Sequence, residues 1–537
     1  MTRRLSGIAF WILLGLLLVA NAIVMWHSLT ALRFWEDEAF NLTVPRNLLA
    51  GLGYTSDGTL SGSTLTPFDP RISTGPVVLL PVAGVLAFGV DPVIGARLVP
   101  LAYWVLLLAG LAVLGRRIAG RFGALTAVAL PLAFNTADSV SPIQGPADLL
   151  GEIAAAALIV WALIVLPRRA WLAALLLGLA VQAKLIALLA LPAFAVALFL
   201  LTPAAPFWPR LVAALRRSVI PLVLVAAPTV LLEAVAFASM GLAGYVRHVR
   251  ALGGFLLSGG QHIEPTTVPQ KLGTLAGSWF VPWWLVATAV VLAAVAVVWA
   301  AAPARGIPDA AGAAGPEAAG MGVSAGAEVI SGIARDTVAR TAVPDPHRPR
   351  WWERDPQLLA LGFGSAVGLL AFVGWWSQAA QLPLWVRHPA VGVFAFAPIL
   401  AAIAVRAVGA LWRRRGNVVT PALTRVVAVA VAAVLAVVVA GGAAGDTMRA
   451  AQPPTVQTLA QQRAAVAPLA AWVRENDVQW LAAKPWGGPV SAVVLTGAHV
   501  GLFDAPAMQH TRTLTPEPCA DGSALIASAG TNICPAR

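Results

Sequence analysis

The sequence predicts an all-α polytopic membrane protein of about eleven transmembrane helices with a small C-terminal extracytoplasmic α/β domain. Hydrophobic residues make up 59% of the 537-residue chain and charged residues only 11%, whereas soluble domains carry about 25% charged residues. Mean hydropathy is +0.79. Apolar runs of roughly 17–25 residues, long enough to cross a bilayer core, recur along the chain. Together these observations place the chain in the membrane class.

The candidate crossings are the strongly apolar segments. They cover residues 7–30, 92–115, 122–138, 149–166, 170–201, 218–238, 275–301, 357–376, 389–406 and 424–441. As one helix, the segment 170–201 would measure about 48 Å, too long for a core of about 30 Å. We therefore expect a hairpin of two short helices that turns near Lys184 and adds one crossing.

The arginines predict the orientation, because cytoplasmic loops collect basic residues. If the N-terminus is cytoplasmic, each short inner turn carries arginines: Arg3, Arg4, Arg116, Arg117, Arg121, Arg168, Arg169, Arg210, Arg216, Arg217, Arg413, Arg414 and Arg415. These turns explain the net charge of +12 better than a nucleic-acid partner does. With this orientation the C-terminus is extracytoplasmic, and a bacterial plasma membrane is the expected location.

The segments between the helices differ in composition. The expected organisation is a first helix at 1–30, an outer loop at 31–91 with an interfacial helix at 76–89, helices 2–8 at 92–301, a flexible cytoplasmic linker at 302–356, helices 9–11 at 357–441 and an outer domain at 442–537. The linker is predicted from its Ala/Gly/Pro-rich composition and its lack of helical periodicity. The first segment resembles a signal peptide, but its apolar run continues to Trp26, which favours an uncleaved helix.

The outer C-terminal segment is predicted to contain a helix and two short strands. The helix is expected at 455–475 and the strands at 478–483 and 492–496. The chain has two cysteines, Cys519 and Cys534, and both lie in this segment. In an oxidising compartment they are expected to form a disulfide, with two unpaired thiols as the alternative.

Two acidic groups lie where helices meet the outer surface. Glu36, Asp37 and Glu38 directly follow the first helix, and a solvated acidic turn is the plainer interpretation of these three carboxylates. Asp148 and Glu152 are one helical turn apart and share a helix face. Glu152 lies within an apolar segment, where an ionisable side chain is costly and usually functional.

These groups fit transfer of a sugar from a lipid phosphate. One carboxylate can accept the proton of an acceptor hydroxyl. Others can orient the acceptor or hold a divalent metal cation, for which Asp37 and Asp148 are the candidates. The leaving phosphate requires positive charge, and the outer-face candidates are Lys184, Arg247, His248, Arg250, Lys271, Arg387 and His388. Snorkelling to the surface is the alternative for Lys184, and an aromatic belt would equally explain Trp385 beside Arg387.

An Asp-Glu pair in the first outer loop is followed by Pro-Arg, and further motifs follow in a fixed order. The stretches concerned are Asp37–Arg46, Gly51–Tyr54, Phe88–Leu98, Arg116–Arg117, Asp148–Leu150 and Gly178–Lys184. In these stretches the first 200 residues or so resemble the C-type glycosyltransferases, in the branch of the protein O-mannosyltransferases and the aminoarabinose transferases of lipid A. None of these motifs is specific alone, and the resemblance depends on their order and spacing.

The resemblance implies a polyprenyl-phosphate-linked sugar donor, an acceptor hydroxyl on a cell-envelope glycan, lipid or protein, and inversion at the anomeric carbon. It makes Asp37 the leading base candidate, Glu38 its neighbour and Asp148 a partner from the second loop, with Glu36 and Glu152 as supporting acids. The chain departs from this branch at Ser73–Pro76, where a lysine or histidine before the proline is missing. That departure shifts the expected phosphate contact to Lys184, Arg387 and His388.

Two other classes remain open. A lipid or glycan transporter would carry its ionisable residues near mid-membrane and often shows internal repeats. The sequence has no evident repeat, and its acids gather at one face. A non-catalytic scaffold that binds a lipid-linked glycan would look much the same as an enzyme.

Overall fold

The computed structural model describes most of the chain. It describes all residues except 1, 59–64, 138–142, 144, 204–205, 259–263, 302–354, 414–420, 455, 503–509, 521 and 537. Nearly all of the predicted linker at 302–356 therefore lies outside the described residues.

The described membrane part is mainly helical. Its helices are α1 (Thr2–Thr30), α2 (Glu36–Leu49), α3 (Pro76–Leu86), α4 (Pro92–Ala133), α5 (Glu152–Val165), α6 (Ala170–Ala183), α7 (Leu191–Leu201), α8 (Phe207–Ser258), α9 (Val268–Gly277), α10 (Trp283–Ala301), α11 (Pro356–Gln378), α12 (Arg387–Arg413) and α13 (Pro421–Ala451). Strands β1 (Thr55–Ser56) and β2 (Thr66–Pro67) form an antiparallel pair within the first loop.

The long apolar helices indicate a multi-pass membrane protein. Seven of the described helices are long and apolar enough to cross a bilayer, namely α1, α4, α8, α10, α11, α12 and α13. Helix α4 is interrupted at Ala119 and Gly120, inside the predicted inner turn. Its second half, together with the shorter apolar helices α5, α6 and α7, supplies the other predicted crossings. The total of eleven stays a prediction.

The helical conformation is interrupted at Lys184, as the length of segment 170–201 predicts. Helix α6 ends at Ala183, Lys184 is extended, and a short 3-10 helix at Leu185–Ala190 leads into α7. The two helices do not form a tight pair. Helix α6 packs on α5 and α8, whereas α7 packs mainly on α11.

Helix α12 is the centre of the bundle and defines its two ends. It packs against α4, α5, α10, α11 and α13. At its C-terminal half, Arg406 donates to the carbonyl of Ile118, beside the break in α4. Arg117 donates to the carbonyl of Ile164, near the end of α5. The arginine-rich turns therefore lie together at one end of the bundle, and Arg387 begins α12 at the other.

The C-terminal segment forms a small α/β domain. It contains α14 (Leu459–Glu475), β3 (Trp480–Ala483), α15 (Gly488–Thr496), β4 (His499–Leu502), β5 (Thr513–Thr515), β6 (Ile526–Ser528) and β7 (Thr531–Cys534). The sheet order is β4-β3-β5-β7-β6. Strand β3 is parallel to β4 and β5, and β7 is antiparallel to β5 and β6. Cys519 and Cys534 form the expected disulfide, with their Cα atoms 5.5 Å apart.

One predicted strand is wrong. Residues 492–496 belong to helix α15, although their valines favour a strand. The helix has Pro489 in its first turn and ends at Gly497, which is left-handed with a φ of 94°. Proline at the start and glycine just past the end are the ordinary boundaries of a helix. The strand begins only after that glycine, at His499.

Candidate active site at one end of the helix bundle

The first acidic group forms the start of helix α2. The residue before the helix, Trp35, is extended, and Glu36, Asp37 and Glu38 make up the first turn. Carboxylates are favourable there because the free N–H groups and the positive end of the helix dipole lie at the N-terminus. Successive residues of a helix point about 100° apart, so the three carboxylates have different surroundings.

Glu38 holds the bend between α1 and α2. Its side chain is only 1% exposed, and its two carboxylate oxygens accept from Nε and Nη2 of Arg97 at 2.7 and 2.8 Å. The remaining Arg97 N–H groups donate to the backbone carbonyls of Ser28, Leu29, Leu32 and Arg33. Both oxygens of Glu38 are thus engaged, which favours a structural role over the predicted catalytic one.

Several carboxylates in this region pair with a buried cation, and Asp37 has the largest solvent-exposed fraction among them. It accepts a hydrogen bond from the guanidinium of Arg387, the first residue of α12, and its side chain remains 23% exposed. The guanidinium lies over the rings of Trp385 and Trp35, at 4.5 and 5.8 Å from their centroids. These contacts fix the cation beside a carboxylate that solvent still reaches.

Asp148 is tied to the same tryptophan. Nε1 of Trp35 donates to Oδ1 of Asp148 at 3.0 Å, and Asp148 is 3% exposed. Asn41, also on α2, donates to the carbonyl of Leu149 at 2.8 Å and to the hydroxyl of Thr74 at 2.9 Å. The two acidic loops are therefore joined through side chains of the first one.

Lys184 and Glu152 form a second ion pair, buried at the break after α6. Nζ of Lys184 lies 2.9 Å from Oε1 of Glu152, and the side chains are 9% and 1% exposed. Nζ also donates to the hydroxyl of Ser73 at 2.9 Å. Ser73 begins the stretch Ser73–Pro76, where the resemblance leads one to expect a lysine or histidine before the proline. Lys184 thus brings a positive charge to that place from another helix.

Two glycines permit this close approach. A Cβ atom on Gly151 would lie 2.0 Å from the carbonyl oxygen of Ala183, and one on Gly75 would lie 1.8 Å from that of Gln182. The starts of α3 and α5 therefore touch the backbone just before Lys184. That contact places Ser73 and Glu152 within reach of the lysine.

The ion pairs form one site, which we call the carboxylate–cation cluster: Asp37, Asp148, Glu152, Lys184 and Arg387. Arg387 interacts electrostatically with Asp37, Glu152 and Asp148. The structure thus brings the two acidic groups together around Arg387. Glu36 lies at the edge of the cluster, 3.6 Å from Arg33 on the preceding bend.

The other predicted phosphate contacts are distributed differently. His388 adjoins the cluster and stacks on Trp385 with centroids 5.7 Å apart. Its Nε2 has no hydrogen-bond partner among the described residues. Arg247 and Arg250 are exposed on α8, and His248 on the same helix lies 3.5 Å from Glu233.

Lys271 binds backbone carbonyls at the end of another helix. Its Nζ donates to the backbone carbonyls of Trp376 and Ala379, at the C-terminal end of α11. A cation is favourable there because the last carbonyls of a helix are free and negative.

Sequence reasoning missed Arg97 and Trp35 as parts of this region. Arg97 lies within the motif Phe88–Leu98, where only the similarity was noted. An arginine at the start of an apolar helix is itself a signal, because it must find a partner when buried. Trp35 stands directly before the acidic triplet and resembles an interfacial tryptophan, so its hydrogen bond to a residue 113 positions away had no local signal.

A divalent metal ion at Asp37 and Asp148 would have to compete with the contacts already described. Asp37 meets Arg387, and Asp148 accepts from Trp35. Among the described residues, no group of three or more His, Cys, Asp or Glu side chains is arranged to hold a metal.

Comparison with known proteins gives a likeness of fold. No family model and no curated protein sequence matches the chain. Two solved structures of ArnT from Cupriavidus metallidurans match over nearly the whole length. With the form bound to undecaprenyl phosphate, the TM-score is 0.54 at 13% identity, covering 93% of this chain and 86% of that one. With the apo form it is 0.57 at 12% identity, covering 98% of each chain. The chain therefore shares its overall fold with these two ArnT structures.

Proposed function

We propose that the protein is a membrane glycosyltransferase that moves a hexosyl or pentosyl group from a polyprenyl-phosphate donor to an acceptor hydroxyl. The reaction takes place on the extracytoplasmic face of a bacterial plasma membrane. The fold supports this proposal, since one of the ArnT structures is bound to undecaprenyl phosphate. The carboxylate–cation cluster supplies residues suited to the chemistry.

Asp37 is the general base in this proposal. The acceptor oxygen forms a bond to the anomeric carbon as the bond from that carbon to the phosphate oxygen breaks. Asp37 accepts the proton of the acceptor hydroxyl, and the polyprenyl phosphate leaves with its electron pair and negative charge. A single displacement of this kind inverts the anomeric carbon.

Arg387 and Lys184 hold the phosphate of the donor. Each already faces a carboxylate, so an arriving phosphate competes with Asp37 for Arg387 and with Glu152 for Lys184. Guanidinium and ammonium groups bind phosphate oxygens strongly when water is excluded. Competition at Arg387 would also release Asp37 from its ion pair, leaving it free to accept a proton.

The pairing of Asp37 with Arg387 is the observation that carries this proposal. It places an accessible carboxylate next to a buried cation at the end of the membrane helices. A transporter needs no such base, and a scaffold would bind the lipid without consuming it.

The test is a transfer assay with purified protein in detergent. Undecaprenyl-phosphate-linked sugars and an envelope glycan fraction serve as donor and acceptor, and released undecaprenyl phosphate is measured. Asp37→Asn is expected to lower the rate by roughly 10²–10⁴-fold, the usual contribution of a general base. Asp355→Asn is the matched control. Asp355 pairs with Arg406, which lies towards the other end of α12, the helix that begins with Arg387. Asp37→Asn activity equal to wild type would exclude this mechanism.

A further inference from the structure

The C-terminal domain contacts the first loop at both ends of α2. This is the helix that carries Asp37 at its start, and the contacts involve buried polar groups rather than apolar surface alone.

The first contact lies just before the acidic triplet. Gln462 of α14 exchanges two hydrogen bonds with the backbone of Phe34: the Phe34 N–H donates to Oε1 at 2.6 Å, and Nε2 donates to the Phe34 carbonyl at 2.9 Å. Phe34 is fully buried and Gln462 is 9% exposed. The Leu459 N–H donates to the carbonyl of Ala31 at 3.3 Å. The amide side chain thus fixes the bend three residues before Asp37.

The second contact lies at the end of α2. Arg46 donates to the carbonyls of Val494 and Gly497 at 3.2 and 2.8 Å, where α15 ends. A guanidinium is favourable at a helix C-terminus. Burial lowers the pKa of the Arg46 guanidinium, and the charge of Asp57 opposes that shift.

Asp57 adds a buried carboxylate to the second contact. It is 2% exposed and lies 3.0 Å from Nδ1 of His499, while the Val500 N–H donates to it at 3.0 Å. Asn47 of α2 donates to the same carboxylate at 2.8 Å. Asp57 therefore links α2 to strand β4 of the C-terminal domain.

Between the two contacts, Phe40 meets Trp486 edge to face, with centroids 5.6 Å apart. Helix α2 is thus held by the C-terminal domain along its whole length. Asp37 lies between the Gln462 contact and the Phe40–Trp486 contact, and Arg387 meets it from the membrane side.

We infer that the C-terminal domain is a positioning element for Asp37, with Gln462 as its principal positioning residue. This inference rests on the proposed function for its catalytic part. General-base catalysis depends on the placement of the base within hydrogen-bond reach of its proton. A shift of about 1 Å can lower a rate by about a hundredfold. Gln462 acts through the backbone of Phe34 and is therefore a positioning residue rather than a catalytic one.

The test compares two adjacent glutamines. Gln462→Ala leaves the buried N–H and C=O of Phe34 without partners. Gln461→Ala is the control, because Gln461 is an exposed capping residue at the start of α14. Hydrogen exchange of residues 36–49, measured by mass spectrometry on the full-length protein, is expected to accelerate about tenfold in Gln462→Ala, since unpaired buried backbone groups favour opening. The control and α12 should retain their wild-type exchange.

The catalytic part is measured separately. In Gln462→Ala the kcat of transfer is expected to fall by roughly 10- to 100-fold, while the affinity for undecaprenyl phosphate stays within about twofold of wild type. In Gln462→Glu the carboxylate repels the Phe34 carbonyl at neutral pH and can donate to it when protonated. Its activity relative to wild type should therefore recover as the pH falls.

The outcomes separate the two proposals. Unchanged exchange of α2 in Gln462→Ala would overturn the positioning role, and so would faster exchange with unchanged kcat. If faster exchange occurs but the wild-type protein itself shows no transfer, the contact stands and the proposed function fails.

Discussion

The two ends of helix α12 hold arginines in opposite surroundings. Arg387 at the N-terminal end is 9% exposed, pairs with Asp37 and stacks on two tryptophans. Arg406 lies 19 residues further along, about 28 Å at the rise of an α-helix. It is 32% exposed and lies 3.3 Å from Asp355, which is 35% exposed. One helix thus presents an ion pair with a buried cation at one end and a solvated pair at the other.

The difference between the two ion pairs indicates that the functional site lies at the Arg387 end of α12. Solvated ion pairs contribute little to stability, about 0–1 kcal/mol. Buried pairs lose hydration and often gain no net stability over apolar residues of the same volume. Three ion pairs with a buried cation gather at the Arg387 end, with the carboxylates Glu38, Asp37 and Glu152. Such a concentration is expensive for folding and is expected where charge is needed for binding or chemistry.

The largest expected difference between the ends is in stability. Arg97→Met leaves Glu38 and four carbonyls near the start of α2 without their partner. It is expected to lower the free energy of unfolding by about 3–5 kcal/mol. Arg406→Met should lower it by less than about 1 kcal/mol. Unfolding of both variants in mixed detergent micelles measures this, and equal losses would show that burial does not distinguish the ends.

A smaller difference is expected in donor binding. Arg387→Lys keeps the charge but loses the planar donors and the stacking on Trp385. The KM for the polyprenyl-phosphate sugar is expected to rise about tenfold, which corresponds to about 1.4 kcal/mol of binding. Lys184→Met should weaken binding of undecaprenyl phosphate in the same direction. An unchanged KM in both variants would remove these residues from the phosphate site.

The smallest effect is expected at the solvated pair. Arg406→Lys should change neither the KM nor kcat beyond about twofold, and should change stability by less than about 0.5 kcal/mol. The same assays on the same preparations provide the measurement. A tenfold loss of transfer in Arg406→Lys would mean that the end near Asp355 also takes part in the reaction.

The sequence predicts much of this arrangement because its signals are local. The apolar segments, the break at Lys184 and the acids after α1 and before α5 are visible from hydropathy and spacing alone. The strand expected at 492–496 shows the limit of local signals, because the valines favour a strand whereas the flanking Pro489 and Gly497 are typical boundaries of a helix.

The partners of the charged residues could not be predicted. Asp37 and Arg387 are 350 positions apart, and Gln462 lies 428 positions from Phe34. Such pairs form only once packing has chosen which helices adjoin, and a single sequence carries no record of that choice. The placement of Ser73 beside Lys184 could not be predicted for the same reason. It depends on the contacts of Gly75 and Gly151 with the backbone before the lysine.

We predict that the Arg387 end of α12 faces away from the cytoplasm and that the Arg406 end faces into it. The chain has two cysteines, joined to each other, so an introduced cysteine is the only free thiol. Leu52→Cys reports the first loop, and Pro203→Cys reports the turn after α7; both positions are exposed. A membrane-impermeant maleimide added to intact cells should label Leu52→Cys, and should label Pro203→Cys only after the membrane is permeabilised. Labelling in the reverse pattern would place the carboxylate–cation cluster in the cytoplasm and contradict the account.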